Sequence, residues 1–140
     1  MRILVTGSRS WTDEERIRFI LEGYFFYKNV MEWDVFNYQL PTVTIVSGGA
    51  RGADILCEKI AKEKNWVIEQ HIPDWKKFSR SAGFVRNDYM ISLGADACFS
   101  FIKDDSAGAT HTANGAVKAG IPTRIIGIRN GVEYEDRCSS

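Results

Sequence analysis

Two glycine-containing loops carry the residue types that hold an anion. Ser47-Gly48-Gly49-Ala50-Arg51-Gly52-Ala53-Asp54 follows a β-branched run and opens a stretch with helical spacing. In that context glycines let a backbone approach a phosphate, and the amides at a helix start can donate to it. Arg51 adds a charged, potentially bidentate donor, and Asp54, in the first helical turn, either answers the helix dipole or accepts from a ligand hydroxyl. Thr6-Gly7-Ser8-Arg9-Ser10 is the equivalent loop after the first apolar run, where Arg9 either reaches the ligand or pairs with Asp13. Arg86 and Asn87 stand near the start of a further helical stretch striped by Val85, Tyr89 and Leu93. Ser106 to Thr112, with Gly108, Thr110 and His111, is another small-residue loop entering a helix. The residues expected to bind the ligand or its phosphate are Gly7, Ser8, Arg9, Ser47, Gly48, Gly49, Arg51, Gly52, Asp54, Arg86, Asn87, Gly108 and Thr110. Any catalysis would have to draw on Asp54, Asp104 or Asp105, with His111 as a proton carrier near neutral pH.

These loops need a frame, and the pattern supplies one. Short apolar runs at 3–5, 43–46, 66–72, 97–102 and 123–128 read as strands. Between them lie helical stretches beginning near Asp13, after Ser47–Gly52, at 83–93 and at 110–119. Thr12 to Glu15 spells a capping box, and Gly120 followed by Pro122 marks a helix end. Five strands alternating with four helices predict a Rossmann-like three-layer α/β sandwich, mostly parallel, with helices on both faces. Ligands of such sheets sit outside the carboxyl ends of the strands where strand order reverses. The whole chain, 1–140, reads as one domain, with an aromatic insertion or helix extension over 24–40 and a polar tail over the last ten residues.

Composition narrows the partners. Lys plus Arg and Asp plus Glu each number 18, so no net field favours a polyanion and nucleic acid is an unlikely partner. Cys57, Cys98 and Cys138 are widely spaced, with no CxxC pair and no zinc-type spacing, so they read as reduced cytosolic thiols; no metal and no cofactor are expected. The opening apolar run is too short for a signal peptide or a membrane span, which points to a cytoplasmic protein. Seven aromatics between Tyr24 and Tyr38 exceed what one buried helix stripe holds. Their surplus predicts a homodimer or higher homo-oligomer, or else a lid over the sheet edge.

Gly7-Ser8-Arg9, Gly48-Gly49-Ala50-Arg51-Gly52-Ala53-Asp54, Arg86-Asn87 with Met90, and Gly108 followed by Ala119-Gly120-Ile121-Pro122 occur in that order. Together they resemble the YspA-related branch of the SLOG superfamily, which also contains the Smf/DprA DNA-processing proteins and the LOG phosphoribohydrolases. The resemblance implies a Rossmann-like fold and a nucleotide-related ligand, in a bacterial or phage setting. Two departures bear on the site: Phe84 stands where many relatives carry proline, and Gly108-Ala109-Thr110 replaces a Gly-Thr pair. The LOG signature also supplies a glutamate for N-glycosidic cleavage, whereas the matching helix start here has His111, Thr112 and Asn114, and no glutamate lies between Glu69 and Glu133. Three functions follow in order of expectation. A nucleotide-binding sensor or sequestering module comes first, then a nucleoside-phosphate N-glycosidase, and last a single-stranded DNA binder of the DprA kind.

Overall fold

The computed structural model describes residues 1–32 and 42–138. Its six strands are β1 (Arg2–Gly7), β2 (Thr44–Ser47), β3 (Val67–Gln70), β4 (Ala97–Lys103), β5 (Thr123–Arg129) and β6 (Val132–Cys138). The helices are α1 (Glu14–Glu32), α2 (Ala53–Glu63), α3 (Trp75–Phe78), α4 (Ala82–Ser92) and α5 (Ala107–Lys118), with one 3-10 turn, Ser79–Ser81, between α3 and α4. The sheet order is β3-β2-β1-β4-β5-β6, and all pairings are parallel except β5 with β6. The chain builds outward in one direction from β1 to β3, then returns to the other side of β1 for β4. Strand order therefore reverses between β1 and β4, whose carboxyl ends diverge into separate loops.

Alternation along the central strands explains the three layers. Ile3 and Val5 point with Ile45, Phe99 and Phe101 into a core closed by Ile17 and Leu21 of α1 and by Cys57, Ile60 and Ala61 of α2. Leu4 points the other way, with Val46 and Cys98, onto Met90 and Ile91 of α4 and Ala116 of α5. Strands covered on both faces need apolar residues at every position, which is why these runs do not alternate with polar ones. Phe99 and Phe101 are fully buried, and each stabilises the fold by roughly 2–3 kcal/mol. Burial pushes the Cys98 thiol up to about 12 and the Cys57 thiol well above its ordinary value, so both rest protonated in the core.

Several expected features are corrected. Most of the expected polar tail is a strand: Val132–Cys138 pairs along the whole of β5 as an antiparallel edge strand. Asn130 and Gly131 take positive φ of 52° and 77° between the two strands, the backbone that an Asn-Gly two-residue hairpin requires. Gly127 leaves room for the Tyr134 ring, and Arg16 of α1 donates to the carbonyls of Gly127 and Tyr134. At α1 the cap is Asp13, whose carboxylate accepts from the Arg16 amide at 3.1 Å, rather than Thr12. The α5 helix starts at Ala107, three residues before the expected Thr110. The short α3 was not foreseen; Asp74 caps it, accepting from the Lys77 amide at 3.0 Å.

The described part of the aromatic stretch extends α1. Tyr24 packs edge-on against Phe99 and Phe25 against Trp66, while Phe26 and Tyr27 face outward beside Val30 and Met31. Trp33, Phe36 and Tyr38 lie outside the described residues. No described helix is long and apolar enough to cross a membrane.

Candidate functional site

At the carboxyl ends of β1 and β4 lies a cavity of about 410 Å³, lined by Thr6 to Ser10, Ala50, Asp54, Trp75, Arg80, Gly83, Phe84, Arg86, Asn87, Ser106, Gly108 and Ala109. A second chamber of about 380 Å³ adjoins it over Gly48, Gly49, Arg51, Ile72 and Pro73; Arg9, Ala50, Trp75 and Arg86 wall both. The larger chamber thus opens where strand order reverses, between β1 and β4.

The glycine loops are shaped by close approach. Gly52 has φ +84°, and a Cβ there would strike the carbonyls of Ser8 and Arg9, so only glycine lets the second loop lie on the first. A Cβ on Gly48 would meet the Arg86 guanidinium at 2.5 Å. That guanidinium donates from Nη1 to the Gly48 carbonyl at 2.6 Å and the His71 carbonyl at 3.3 Å, and from Nε to Asn87 Oδ1 at 2.6 Å. Burial pulls the Arg86 pKa below its ordinary value, opposed by the charge of Asp54.

The amides of the 47–54 loop are less available than expected. The Gly49 amide donates to Ser47 Oγ at 3.1 Å, that of Ala50 to Asp54 Oδ2 at 3.2 Å, and that of Ala53 to the Ser8 carbonyl at 3.2 Å. Ser47 thus works inside its own turn. Ser8 is likewise a clip: its hydroxyl accepts from the Lys103 amide at 2.7 Å and shares a hydrogen bond with Ser106 Oγ. Two other helix starts are left open instead. Neither α4 nor α5 has a side-chain cap, because Ser81 Oγ donates to the Phe78 carbonyl and Ser106 Oγ is held by Ser8. Gly83 and Phe84 of α4, with Gly108 and Ala109 of α5, face the larger chamber, presenting the positive ends of two helix dipoles to it.

Charge is distributed unevenly over the ten arginines. Six lie away from the cavity, and each has a carboxylate within ion-pair distance: Arg2 with Glu69, Arg16 with Glu133, Arg18 with Glu14 and Glu63, Arg124 and Arg137 with Glu135, and Arg129 with Asp105. The four that line the chambers, Arg9, Arg51, Arg80 and Arg86, have no such partner among the described residues. Arg9 does not pair with Asp13, which is occupied at the α1 cap.

Asp54 is the one carboxylate among the lining residues. It is 5% exposed, and its Oδ1 has no hydrogen-bond partner. Burial raises its pKa to about 6, against the Ala50 amide, the field of Arg86 and a weaker pull from the Gly48 amide. The other catalytic candidates point elsewhere. Asp104 accepts from the Asn130 amide and Asp105 holds Arg129 bidentately, so both face the β5–β6 hairpin. His111 pairs with Asp88 at 3.0 Å and stands edge-on behind Phe84, and Thr110 bonds back to the Ser106 carbonyl. Neither these three candidates nor Thr110, expected as a ligand-binding residue, lines either chamber. Trp75 and Arg80 also line the larger chamber, although no motif in the sequence marks them. Trp75, 51% exposed, and Phe84, 41% exposed, are the aromatic surfaces of the larger chamber.

A Rossmann-like sandwich with a cation-lined cavity where its strand order reverses defines the class of protein. The family model described as "YspA, cpYpsA-related SLOG family" matches residues 31–78, which include the 47–54 loop, α2 and Trp75. The chain is also 34% identical over 130 residues to "Gene 61 protein" of Mycobacterium phage D29, covering 86% of this chain and 92% of that relative. No solved structure matches. The chain belongs to the YspA, cpYpsA-related SLOG family.

Proposed function

We propose that the protein binds a nucleotide or nucleotide-derived phosphate ligand at the carboxyl ends of its strands, as a sensor or sequestering module in the cytoplasm of a bacterial or phage-infected cell. The observation that carries this reading is the arginine distribution: in a chain of zero formal charge, four arginines without carboxylate partners among the described residues line two adjoining chambers. Like charges gathered without partners repel, and an incoming phosphate relieves that repulsion while accepting charge-assisted hydrogen bonds. The open starts of α4 and α5 add to the same field. Trp75 and Phe84 offer faces on which a base can stack. A thermal-shift series with nucleoside mono-, di- and cyclic phosphates tests the reading. A ligand at one hundred times its Kd adds about 2.7 kcal/mol of apparent stability, and that shift should vanish in an Arg51→Ala, Arg86→Ala double variant.

Asp54 also supports a second reading, cleavage of a nucleotide's N-glycosidic bond, because it is a carboxylate inside the phosphate-binding cavity. The positive charge that builds on the sugar needs such a group nearby. Chromatography for free base after incubation with nucleoside monophosphates decides between the two: release abolished by Asp54→Asn favours the hydrolase, and intact nucleotides beside measurable binding favour the module.

A further inference from the structure

Asp54 is out of place by sign. A cavity built to hold an anion gains nothing from a buried carboxylate, and the helix dipole would be answered equally well by an exposed one. The neighbours do not neutralise it. Glu58, one turn further along α2 and itself buried, has its Oε1 occupied by Gln70 Nε2 at 2.8 Å. Cys57 on the same helix stays a thiol. Arg86 from α4 acts through its field, but its Nη1 and Nε donate to Gly48, His71 and Asn87 and no hydrogen bond or ion pair joins it to Asp54. Arg9 and Arg51, on the loops before α1 and α2, line the chambers without an ion pair to Asp54. One carboxylate oxygen is thus satisfied by the Ala50 amide, while the other is buried with no partner within hydrogen-bond distance, the Gly48 amide adding only a weak pull, on a residue that lines the cavity. A buried acceptor without a donor is costly, and native structures keep few of them.

Resting on the phosphate-binding reading, we propose that Asp54 is the specificity-determining acceptor for a sugar hydroxyl of the bound nucleotide, so that the cavity distinguishes a ribose from its deoxy counterpart. The missing partner must be a donor, and among four arginines a neutral one, since a ligand ammonium would be repelled. Position selects the hydroxyl over a base N–H. Asp54 sits at the foot of the Gly48–Ala50 turn beside the arginines that take the phosphate, whereas Trp75 and Phe84, the surfaces suited to the base, are more than two-fifths exposed. The group next to a nucleotide's phosphate is its sugar.

The test measures binding of the full chain to adenosine and guanosine 5′-phosphates, to their 2′-deoxy and 2′,3′-dideoxy counterparts, and to inorganic phosphate as a probe of the arginines alone. The ribo forms should bind roughly ten- to a hundredfold more tightly than the dideoxy forms, the range expected for a hydrogen bond to a charged group. Asp54→Asn and Asp54→Ala should shrink that ratio to within about threefold of unity while inorganic phosphate binds as well as before or better. Asn can still accept from the Ala50 amide, so this variant keeps the test intact if Asp54→Ala fails to fold. Phosphate binding with no ribose preference, or a preference that survives both substitutions, overturns the role of Asp54 alone. No binding of any probe, inorganic phosphate included, overturns the phosphate-binding reading beneath it.

Discussion

The arginines of the β5–β6 hairpin, two on β5 and one on β6, and those of the cavity, on loops and helices beyond the strand ends, solve opposite problems. Around the hairpin Arg124, Arg129 and Arg137 each hold a carboxylate, and Arg16 reaches across from α1 to hold two carbonyls and Glu133. Those charges are spent on the fold. Around the two chambers Arg9, Arg51 and Arg80 have no carboxylate partner among the described residues, and Arg86 is held by neutral oxygens that leave its charge uncompensated. An arginine that stabilises a fold and one that waits for a ligand are the same residue type. Their carboxylate partners, or the lack of them, tell the two apart.

The largest expected effect comes from removing waiting charges. Each lost charged hydrogen-bonding partner should weaken phosphate-ligand binding by about 1.5–3 kcal/mol, so Arg51→Ala with Arg86→Ala should lower affinity a hundredfold or more in a titration. The two single variants should differ in stability. Arg51 is exposed and unpaired, so Arg51→Ala leaves the melting point alone, whereas Arg86→Ala also frees the Gly48 and His71 carbonyls and lowers it. If both bind a confirmed nucleotide as wild type does, the comparison is broken.

Next in size is Asp54, where function and stability oppose each other. Its pKa is raised to about 6 by burial, so between roughly pH 4 and 6 the folded protein holds a proton that the unfolded chain gives up. Stability contributed here is present at acid pH and lost as pH rises through about 6, by something on the order of 2–3 kcal/mol. Asp54→Asn removes that loss. In the absence of ligand the variant should melt higher than wild type at pH 8 and level with it below pH 4, by calorimetry. A variant less stable than wild type at pH 8 would make Asp54 a structural group.

The paired side behaves in the reverse sense. Arg2 donates bidentately to Glu69, with Nη1 and Nη2 at 2.8 and 2.9 Å. Together with His71 it lowers the Glu69 pKa to about 2. Stability from this carboxylate is present above its ordinary value and lost as pH falls from about 4.5 towards 2. Both side chains are about one-third exposed, so screening leaves about 1 kcal/mol or less. Glu69→Gln should lower the melting point slightly at pH 7 and not at pH 2, with ligand affinity unchanged.

How far the sequence foretold this division can be judged residue by residue. The strand-helix alternation is legible because strands buried on both faces are written as unbroken apolar runs; which two strands flank the reversal is not, since strand order is set by tertiary packing. β6 was read as a tail because an edge strand with one exposed face carries Glu133, Glu135, Asp136 and Arg137, although Asn130-Gly131 held the hairpin signal. Arg51, Arg86 and Asp54 were legible from the loop they belong to or face. Trp75 and Arg80 were not, since they sit on a four-residue helix and a 3-10 turn whose approach to the cavity depends on tertiary packing. Backbone handedness hid the fate of Asp104 and Asp105: both have positive φ, 49° and 55°, and that reversal turns them away from the cavity.

That last pair gives the smallest predicted effect and the sharpest control. Asp104 and Asp105 follow β4 directly, one residue before Ser106 of the cavity rim, so proximity in sequence alone would place them in the chemistry. Their contacts place them with the hairpin instead: Asp104 with the Asn130 amide at 3.1 Å, Asp105 with Arg129 at 2.7 Å. Asn tolerates the left-handed backbone that both positions adopt, so Asp104→Asn with Asp105→Asn keeps the turn and its neutral hydrogen bonds while discarding the charge. Arg129 lowers the Asp105 pKa, so what little this exposed pair contributes is present at neutral pH and fades as pH falls. The double variant should therefore bind inorganic phosphate and nucleotides as wild type does and melt within error of it at pH 7. A loss of affinity comparable to that of Arg51→Ala would mean that the hairpin and the cavity are coupled through the Asp105–Ser106 link, and the separation of paired from waiting arginines would have to be redrawn.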